Sequence, residues 1–325
     1  MKLTLSRRRW HWRSLAHWLS TRPLQVTIAV LAVLPALLPY TSLASSIVIW
    51  GLYALGFNLV FGRLGLLSLG HAAFFGAGAY GFGMAVVHLN VGFLAAMACA
   101  VGLSTAVALL MGALLLRAKG IYFAMITLAL ANCVYFVFLK ATDWTGGESG
   151  LPGADVKSIS ALAHTIDLQN PVARYYLILA TAAICLALLF RLNQSSLGVV
   201  MDALKQSESR AAACGYNVKV VRFVVFVLSA AVCGVAGALY TLSVGTVTID
   251  SLHYWTSSQV LMMAILGGAG TLIGPLIGAG IFVVLADLLP AVTSHWQLFF
   301  GLLFMAFVRY CPDGVWGMLR RRLVL

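Results

Sequence analysis

The sequence predicts an all-α polytopic membrane protein with about ten transmembrane segments and both termini in the cytoplasm. The first observation is composition: 62% of the 325 residues are hydrophobic and only 9% are charged, against roughly 25% charged residues in a soluble domain. The second is a series of long stretches without charge, and the third is an uneven distribution of Lys and Arg along the chain. This composition excludes a soluble enzyme, a disordered chain and a disulfide-rich secreted module.

The stretches without Asp, Glu, Lys or Arg set the number of segments. A helix needs about 20 mostly apolar residues to cross a bilayer. Three stretches are long enough to turn back once, and four hold one crossing each. The two-crossing stretches are 24–62, 64–116 and 251–286; the single crossings are 120–139, 175–190, 223–249 and 288–308.

The basic residues give the orientation. An N-terminus inside the cell places all but three of the 21 Lys and Arg residues in the cytoplasm, the exceptions being Lys140, Lys157 and Arg174. This is a strong positive-inside bias. The net charge of +12 is therefore attributed to cytoplasmic loops and not to a nucleic-acid partner.

The same count divides the chain into regions. We expect a basic cytoplasmic tail over 1–23, a membrane domain over 24–310 with an outer loop at 141–173 and a cytoplasmic loop at 191–222, and a second cytoplasmic tail over 311–325. The N-terminal tail is long for the basic region of a signal peptide, which favours a retained anchor over a cleaved leader.

Two segments are rich in glycine. The glycines between Gly70 and Gly83 are too dense for an ordinary helix, and a second run ends in the pair Gly274 and Pro275. A membrane helix broken in this way is tolerated where it lines a cavity or packs in protein. One such segment in each half predicts a transport pathway near the midplane. Close packing of helices through small residues is the alternative.

The cytoplasmic loop contains one predicted helix. Val200, Leu204 and Ala211 share a face at helical spacing, whereas Asp202 lies off it, and Gly215 is a suitable stop. Such a helix could lie on membrane lipid or dock on a soluble partner. Its mixed charge favours a partner.

Polar side chains in the segments are candidates for the pathway, because a polar group in hydrocarbon needs a partner or a cavity. The candidates are Asn58, Ser68, His71, Thr127 and Asn132, together with the break at Gly274 and Pro275. The His71 ring could instead bind backbone groups near Gly70. An interhelical hydrogen bond would explain Asn132 equally well.

Several blocks resemble one family when taken in order. They are GLLSLGHAAFFGAGAY at 65–80, RAKGIYFAMITL at 117–128, TGGESG at 145–150, ESRAAACGY at 208–216 and LGGAGTLIGP at 266–275. Together they are similar to the branched-chain amino acid ABC transporter permeases of the LivM type. The resemblance runs from about residue 45 to the closing PDGVWGML at 312–319.

The resemblance implies a multi-pass subunit of a bacterial inner-membrane importer. Its partners would be a second, homologous permease, two ATPase subunits and an external substrate-binding protein. Residues 195–217 would form the coupling helix, with Glu208, Arg210 and Ala212 against the ATPase and Gly215 at the helix end. The chain has no phosphate-binding loop. We therefore expect ATP to be bound by the partner subunits. No pair of the six cysteines has metal-ligand spacing, so we expect no metal. The resemblance to a transport subunit implies no catalytic residue and no cofactor in this chain.

Two other classes compete with this interpretation. Ser68 and His71 stand three residues apart and could meet in an intramembrane enzyme, although no third catalytic group is evident. An ion-coupled carrier acting alone would require intramembrane carboxylates, and Asp250 and Asp287 both lie near predicted segment ends. Within the resembled family, branched-chain amino acids are the first substrate choice; urea, short amides or other amino acids are the alternative.

Overall fold

The structure is a computed structural model that describes residues 23–115, 118–154, 158–161, 164–292, 295–311 and 313–318. The N-terminal tail predicted for 1–23 lies outside these residues except for its last position. The end of the predicted C-terminal tail also lies outside them.

Most of the described chain is helical. The helices are α1 Pro23–Leu37, α2 Thr41–Asn58, α3 His71–Leu89, α4 Phe93–Leu115, α5 Gly120–Lys140, α6 Thr142–Thr145, α7 Pro171–Gln194, α8 Ser196–Gln206, α9 Glu208–Ala213, α10 Val218–Val244, α11 Tyr254–Gly267, α12 Gly274–Val292 and α13 Trp296–Tyr310. A π-helical turn, Leu59–Arg63, continues α2. Among the described residues, six helices are long and apolar enough to cross a membrane: α2 with its π turn, α3, α4, α5, α7 and α10. Shorter apolar helices accompany them. The prediction of an all-α polytopic membrane protein is confirmed at this level.

The bundle has two chemically different ends. Lys119, Lys205 and Arg222 gather at the end that holds α8 and α9, which we call the basic end; their contacts reach Glu208 and the π turn. The loop after α5 and the segment after α10 meet at the other end, which we call the opposite end. There β1 Leu151–Pro152 pairs antiparallel with β4 Thr246–Val247.

The loop predicted at 141–173 has more structure than expected. It contains α6, a 3₁₀ turn at Gly147–Ser149, strand β1 and a hairpin of β2 Ser158–Ala161 with β3 His164–Asp167. At the same end, the Tyr40 hydroxyl donates a hydrogen bond to Asp287, which raises the pKa of Tyr40. Asp287 therefore has a partner at the end of its segment.

The first glycine-rich segment is not broken, contrary to the prediction. It forms the continuous helix α3, whose glycines allow α10 to approach closely. A Cβ on Gly78 would lie 2.3 Å from the carbonyl oxygen of Gly234. Small-residue packing, the alternative interpretation, accounts for this segment. The two helices also form much of the buried core, with Phe74 and Phe226 in edge-to-face contact.

The second glycine-rich segment is interrupted, as predicted, but not near the midplane. Helix α11 ends at Gly267 and α12 begins at Gly274. The loop between them lies at the basic end, because Gly270 packs against the Gly62 carbonyl and the Lys205 ammonium. The two helices then run closely together; a Cβ on Gly278 would lie 1.9 Å from the Met263 carbonyl oxygen.

Candidate functional site

A buried polar cluster centres on His71 at the start of α3. Nδ1 of His71 lies 3.0 Å from the Ser68 hydroxyl, and Nε2 lies 3.0 Å from the Ser229 hydroxyl on α10. Ser229 donates its own proton to the Gly56 carbonyl at 2.6 Å. Its oxygen must therefore accept from Nε2–H, so Nδ1 accepts from Ser68. The imidazole has one donor and one acceptor, as a neutral ring requires.

This cluster joins three helices and is closed to solvent. Ser68, His71 and Ser229 each have 0% of their surface exposed. The Ser68–His71 pair does meet, as the enzyme hypothesis required. Both ring nitrogens are nevertheless occupied by hydroxyl groups, and no substrate has access to the buried Ser68 oxygen. The contacts support a role in holding α2, α3 and α10 together.

The two polar candidates on α5 have different surroundings. The hydroxyl of Thr127 is buried, accepts from the Leu69 backbone N–H at 3.1 Å and donates to the Ala124 carbonyl at 2.8 Å. Thr127 therefore supports the turn that leads to His71. Asn132 lies further along α5, is half-buried and takes no part in this cluster.

Asn58 lies at the basic end, away from His71. Its amide nitrogen donates to the Thr271 carbonyl at 2.8 Å, and its amide oxygen accepts from the Gly270 N–H at 2.8 Å. Both ends of the amide thus hold the loop between α11 and α12. The Thr271 hydroxyl in turn accepts from the N–H of Gly274, where α12 begins, followed by Pro275 in the first turn. The structure therefore brings Asn58 and the Gly274–Pro275 break together.

Helix α8 is fastened to the π turn beside Asn58. Nη1 of Arg63 contacts both carboxylate oxygens of Asp202, at 2.7 and 2.9 Å. The Lys205 ammonium donates to the Gly62 carbonyl at 2.7 Å. A π turn leaves the normal helical ladder and is frequent at functional sites. These two contacts connect the predicted coupling segment to a transmembrane helix.

The predicted coupling helix is two helices. Ser207 is extended, with φ −165° and ψ 112°, and its hydroxyl accepts from the Arg210 N–H. This N-cap separates α8 from α9. The predicted end is confirmed: Gly215 has φ +88°. The N–H groups of Gly215 and Tyr216 bond back to Ala212 and Ala211, which is the Schellman arrangement.

The buried face of this segment matches the prediction. Val200, Leu204 and Ala211 are buried, whereas Arg210 and Ala212 are exposed. Glu208 is different, since its carboxylate contacts Arg222 and lies 3.6 Å from the Lys119 ammonium. Glu208 therefore attaches α9 to α10, whereas Arg210 and Ala212 remain exposed on α9.

A cavity of about 660 Å³ opens at the opposite end of the bundle. It lies between α2, α3, α10 and the start of α11, and aromatic rings of Trp50, Phe75 and Tyr240 form one wall. Asp250 and His253 also line the cavity. The sequence interpretation included none of these as site residues. The one available signal was Trp50, a tryptophan in the middle of an apolar segment.

Comparison with known proteins decides the family. The family model described as "Branched-chain amino acid transport system / permease component" matches residues 40–308. This chain belongs to that permease family. The match covers every element described above from α2 through α12 and most of α13. It confirms the family that the sequence blocks indicated.

Two curated relatives agree with this membership. The chain is 28% identical over 302 residues to the high-affinity branched-chain amino acid transport system permease protein LivM of Salmonella typhimurium, covering 87% of this chain and 71% of the relative. The LivM protein of Escherichia coli gives the same identity and coverage. No solved structure matches. The chain is a multi-pass transport permease and not an enzyme, which agrees with the sealed Ser68–His71 pair.

Proposed function

We propose that this chain is a transmembrane subunit of an ABC importer for branched-chain amino acids in a bacterial inner membrane. It would act with a second, homologous permease, two ATPase subunits and an external binding protein. Membership of the family and the names of the two LivM relatives support this assignment. ATP would be bound by the ATPase subunits.

The attachment of α8 to the π turn is the observation that carries the proposal. An energy-coupled permease needs a surface for the ATPase and a rigid connection from it to the transmembrane helices. The exposed residues around Ala212 provide the surface. The contacts Arg63–Asp202 and Lys205–Gly62 provide the connection.

The connection continues beyond the π turn. Asn58 lies one residue before that turn and binds the backbone of Gly270 and Thr271. A displacement of α8 would therefore reach α2 and the start of α12 through short polar contacts. Coupling of this kind is carried by packed elements with two arrangements. The ATPase would bias these arrangements by binding α8 and α9.

The charges support an orientation with the basic end in the cytoplasm. Lys119, Lys205, Arg210 and Arg222 lie at that end. Positively charged loops are retained on the cytoplasmic side. The opposite end would then face the binding protein that delivers the substrate.

Uptake by cells tests the proposal. Labelled leucine and labelled urea are supplied to a strain that lacks this gene, to the same strain with the gene restored, and to both after ATP depletion. We expect leucine uptake that requires both the gene and ATP. Gene-dependent urea uptake without leucine uptake would overturn the substrate and keep the transporter class. Leucine uptake that is gene-dependent but insensitive to ATP depletion would overturn the class.

A further inference from the structure

The cavity at the opposite end has the dimensions of a small-molecule site. Its volume of about 660 Å³ lies within the range of roughly 300–1,000 Å³ that such sites occupy. Helices α2, α3, α10 and α11 form it together with the turn between α10 and α11. It opens at the end where the importer would receive its substrate.

One wall of the cavity is a rigid aromatic surface. The rings of Trp50 and Phe75 are stacked with centroids 5.6 Å apart, and Tyr240 lies 5.5 Å from Phe75. Tyr53 supports them from behind, 4.7 Å from Phe75 and with 0% of its surface exposed. Such rings offer a large apolar contact area for an aliphatic side chain at little entropic cost.

The lining of the cavity also includes a carboxylate, that of Asp250, on a backbone turn held by hydrogen bonds. The backbone carbonyl of Asp250 accepts hydrogen bonds from the Thr256 hydroxyl at 3.0 Å and the His253 N–H at 3.1 Å. These bonds fix the turn that bears Asp250, whose side chain is exposed. Within the described residues, the Asp250 carboxylate makes no ion pair.

A hydrogen-bond donor stands beside this carboxylate. Nδ1 of His253 accepts from the Trp255 backbone N–H at 3.4 Å, so the proton of a neutral ring lies on Nε2. The indole of Trp255, which also lines the cavity, has a second N–H. The rim thus combines one anionic acceptor with neutral donors.

We propose that this cavity binds the substrate amino acid during its passage. The aromatic wall of Trp50, Phe75 and Tyr240 holds the branched aliphatic side chain, and Asp250 accepts hydrogen bonds from the ammonium group. His253 and Trp255 donate to the carboxylate. The inference rests on the proposed function and adds to it the residues that select the substrate.

The charge of the rim favours an amino acid over urea or a short amide, two of the alternatives that the sequence left open. Asp250 is the one charged side chain among the described residues that line the cavity. An ammonium group is stabilised by a carboxylate, since charge-assisted hydrogen bonds are roughly twice as strong as neutral ones. Urea and short amides can also donate N–H groups to a carboxylate, but they carry no charge and gain no ion-pair attraction to Asp250. The cavity therefore favours an amino acid.

Two variants with matched controls test the inference in cells that depend on the plasmid-borne gene. Asp250→Asn and Trp50→Phe alter the cavity; Asp143→Asn and Trp144→Phe change the same residue types at exposed positions outside it. We expect Asp250→Asn to raise the KM for leucine about tenfold, which corresponds to about 1.4 kcal/mol, because the ammonium group loses its charged acceptor. Trp50→Phe should raise KM for leucine more than for alanine. The controls should leave both values unchanged.

A binding measurement separates this inference from the function itself. Thr248→Cys places a thiol on the cavity rim at an exposed position. Its reaction with a membrane-impermeant maleimide is followed in right-side-out vesicles, with the wild-type chain as background. We expect leucine to slow this reaction and urea to leave it unchanged.

The outcomes distinguish the two proposals. If leucine uptake requires the gene but Asp250→Asn transports with wild-type KM and Thr248→Cys is not protected, the cavity assignment is wrong and the proposed function stands. If urea protects Thr248→Cys and leucine does not, the amino acid assignment is overturned. Protection by leucine together with a raised KM in Asp250→Asn supports the inference.

Discussion

Arg63 and Asp202 form an ion pair across 139 positions of the chain, with Nη1 of Arg63 at 2.7 and 2.9 Å from the two carboxylate oxygens. The pair joins the last residue of the π turn to the middle of α8. The side chains are 21% and 50% exposed. An exposed ion pair adds only about 0–1 kcal/mol to stability. We therefore attribute to this pair a role in transmitting motion more than in holding the fold.

Exchange of the two charges tests that role. Arg63→Asp and Asp202→Arg should each reduce leucine uptake severalfold, because each single variant leaves two like charges in contact. The double variant should recover a large part of the uptake. The amount of chain in the membrane, measured in parallel, should change little in all three.

Recovery in the double variant is the decisive comparison, since it isolates the interaction from each side chain's other contacts. Arg191 provides a control, because it lies at the basic end and is exposed near the end of α7. Arg191→Gln should transport normally. Full leucine uptake by the single variants would show that coupling does not require the Arg63–Asp202 pair.

Gly62 tests the tight packing between the π turn and the α11–α12 loop. A Cβ at this position would lie 2.0 Å from the Asn58 amide oxygen and 2.4 Å from the Gly270 nitrogen. Gly62→Ala must displace the Asn58 amide or the loop that it binds. We therefore expect the free energy of unfolding to fall by about 1–3 kcal/mol. A lowered thermal unfolding temperature of the purified complex would report this loss.

Gly102 is the matched control for Gly62. It lies in α4, and a Cβ there would meet no atom within 4 Å. Gly102→Ala should leave the complex unchanged or stabilise it by about 0.5–1 kcal/mol, because alanine favours helix. Equal unfolding temperatures for the two variants would contradict the packing described for the π turn.

Ala212 tests the docking surface on α9. Its side chain is exposed, so Ala212→Arg should insert and fold normally yet block the ATPase by bulk and charge. We expect uptake to fall about tenfold or more, which corresponds to about 1.4 kcal/mol of lost association. Ala212→Ser is the conservative control. Normal co-purification of the ATPase with Ala212→Arg would exclude this surface.

Glu208 gives a less clear test than Ala212. The sequence suggested it as an ATPase contact, and the structure pairs it with Arg222 and Lys119. Glu208→Lys would place three cations together and disturb the attachment of α9. Loss of transport in that variant would not separate docking from folding.

A variant of Asn132 distinguishes two roles for this side chain of α5, namely contact with the substrate pathway and packing between helices. The side chain is half-buried. If it faces the pathway, Asn132→Leu should change the KM for leucine while the amount of folded chain stays constant. A fall in folded chain with an unchanged KM would show that Asn132 only holds helices together.

The sequence predicted the helices well because charge and length determine them locally. The central turns of α1 to α5, α7 and α10 lie in stretches without charge. The buried face of α8 followed from the spacing of Val200 and Leu204. The stop at Gly215 followed from the left-handed conformation that glycine adopts readily.

The errors have a common physical cause. Glycine density indicates either a broken helix or a close helix crossing, and only the partner decides. Gly78 faces Gly234, far away in sequence, so α3 stays whole. The second glycine-rich segment can leave the helix after Gly267, because the Asn58 amide binds the backbone N–H of Gly270 and the carbonyl of Thr271. Likewise, the cavity between Trp50 and Asp250 forms only when distant segments pack together.

ATP-driven leucine uptake by the reconstituted importer tests the central claim most directly. The complex is assembled in proteoliposomes with its partner subunits and binding protein, using this chain, Ala212→Ser or Ala212→Arg. We expect leucine uptake with ATP for the first two and almost none for Ala212→Arg, although all three chains assemble with the second permease. Leucine uptake that is equal with and without ATP, or equal in all three complexes, would contradict it.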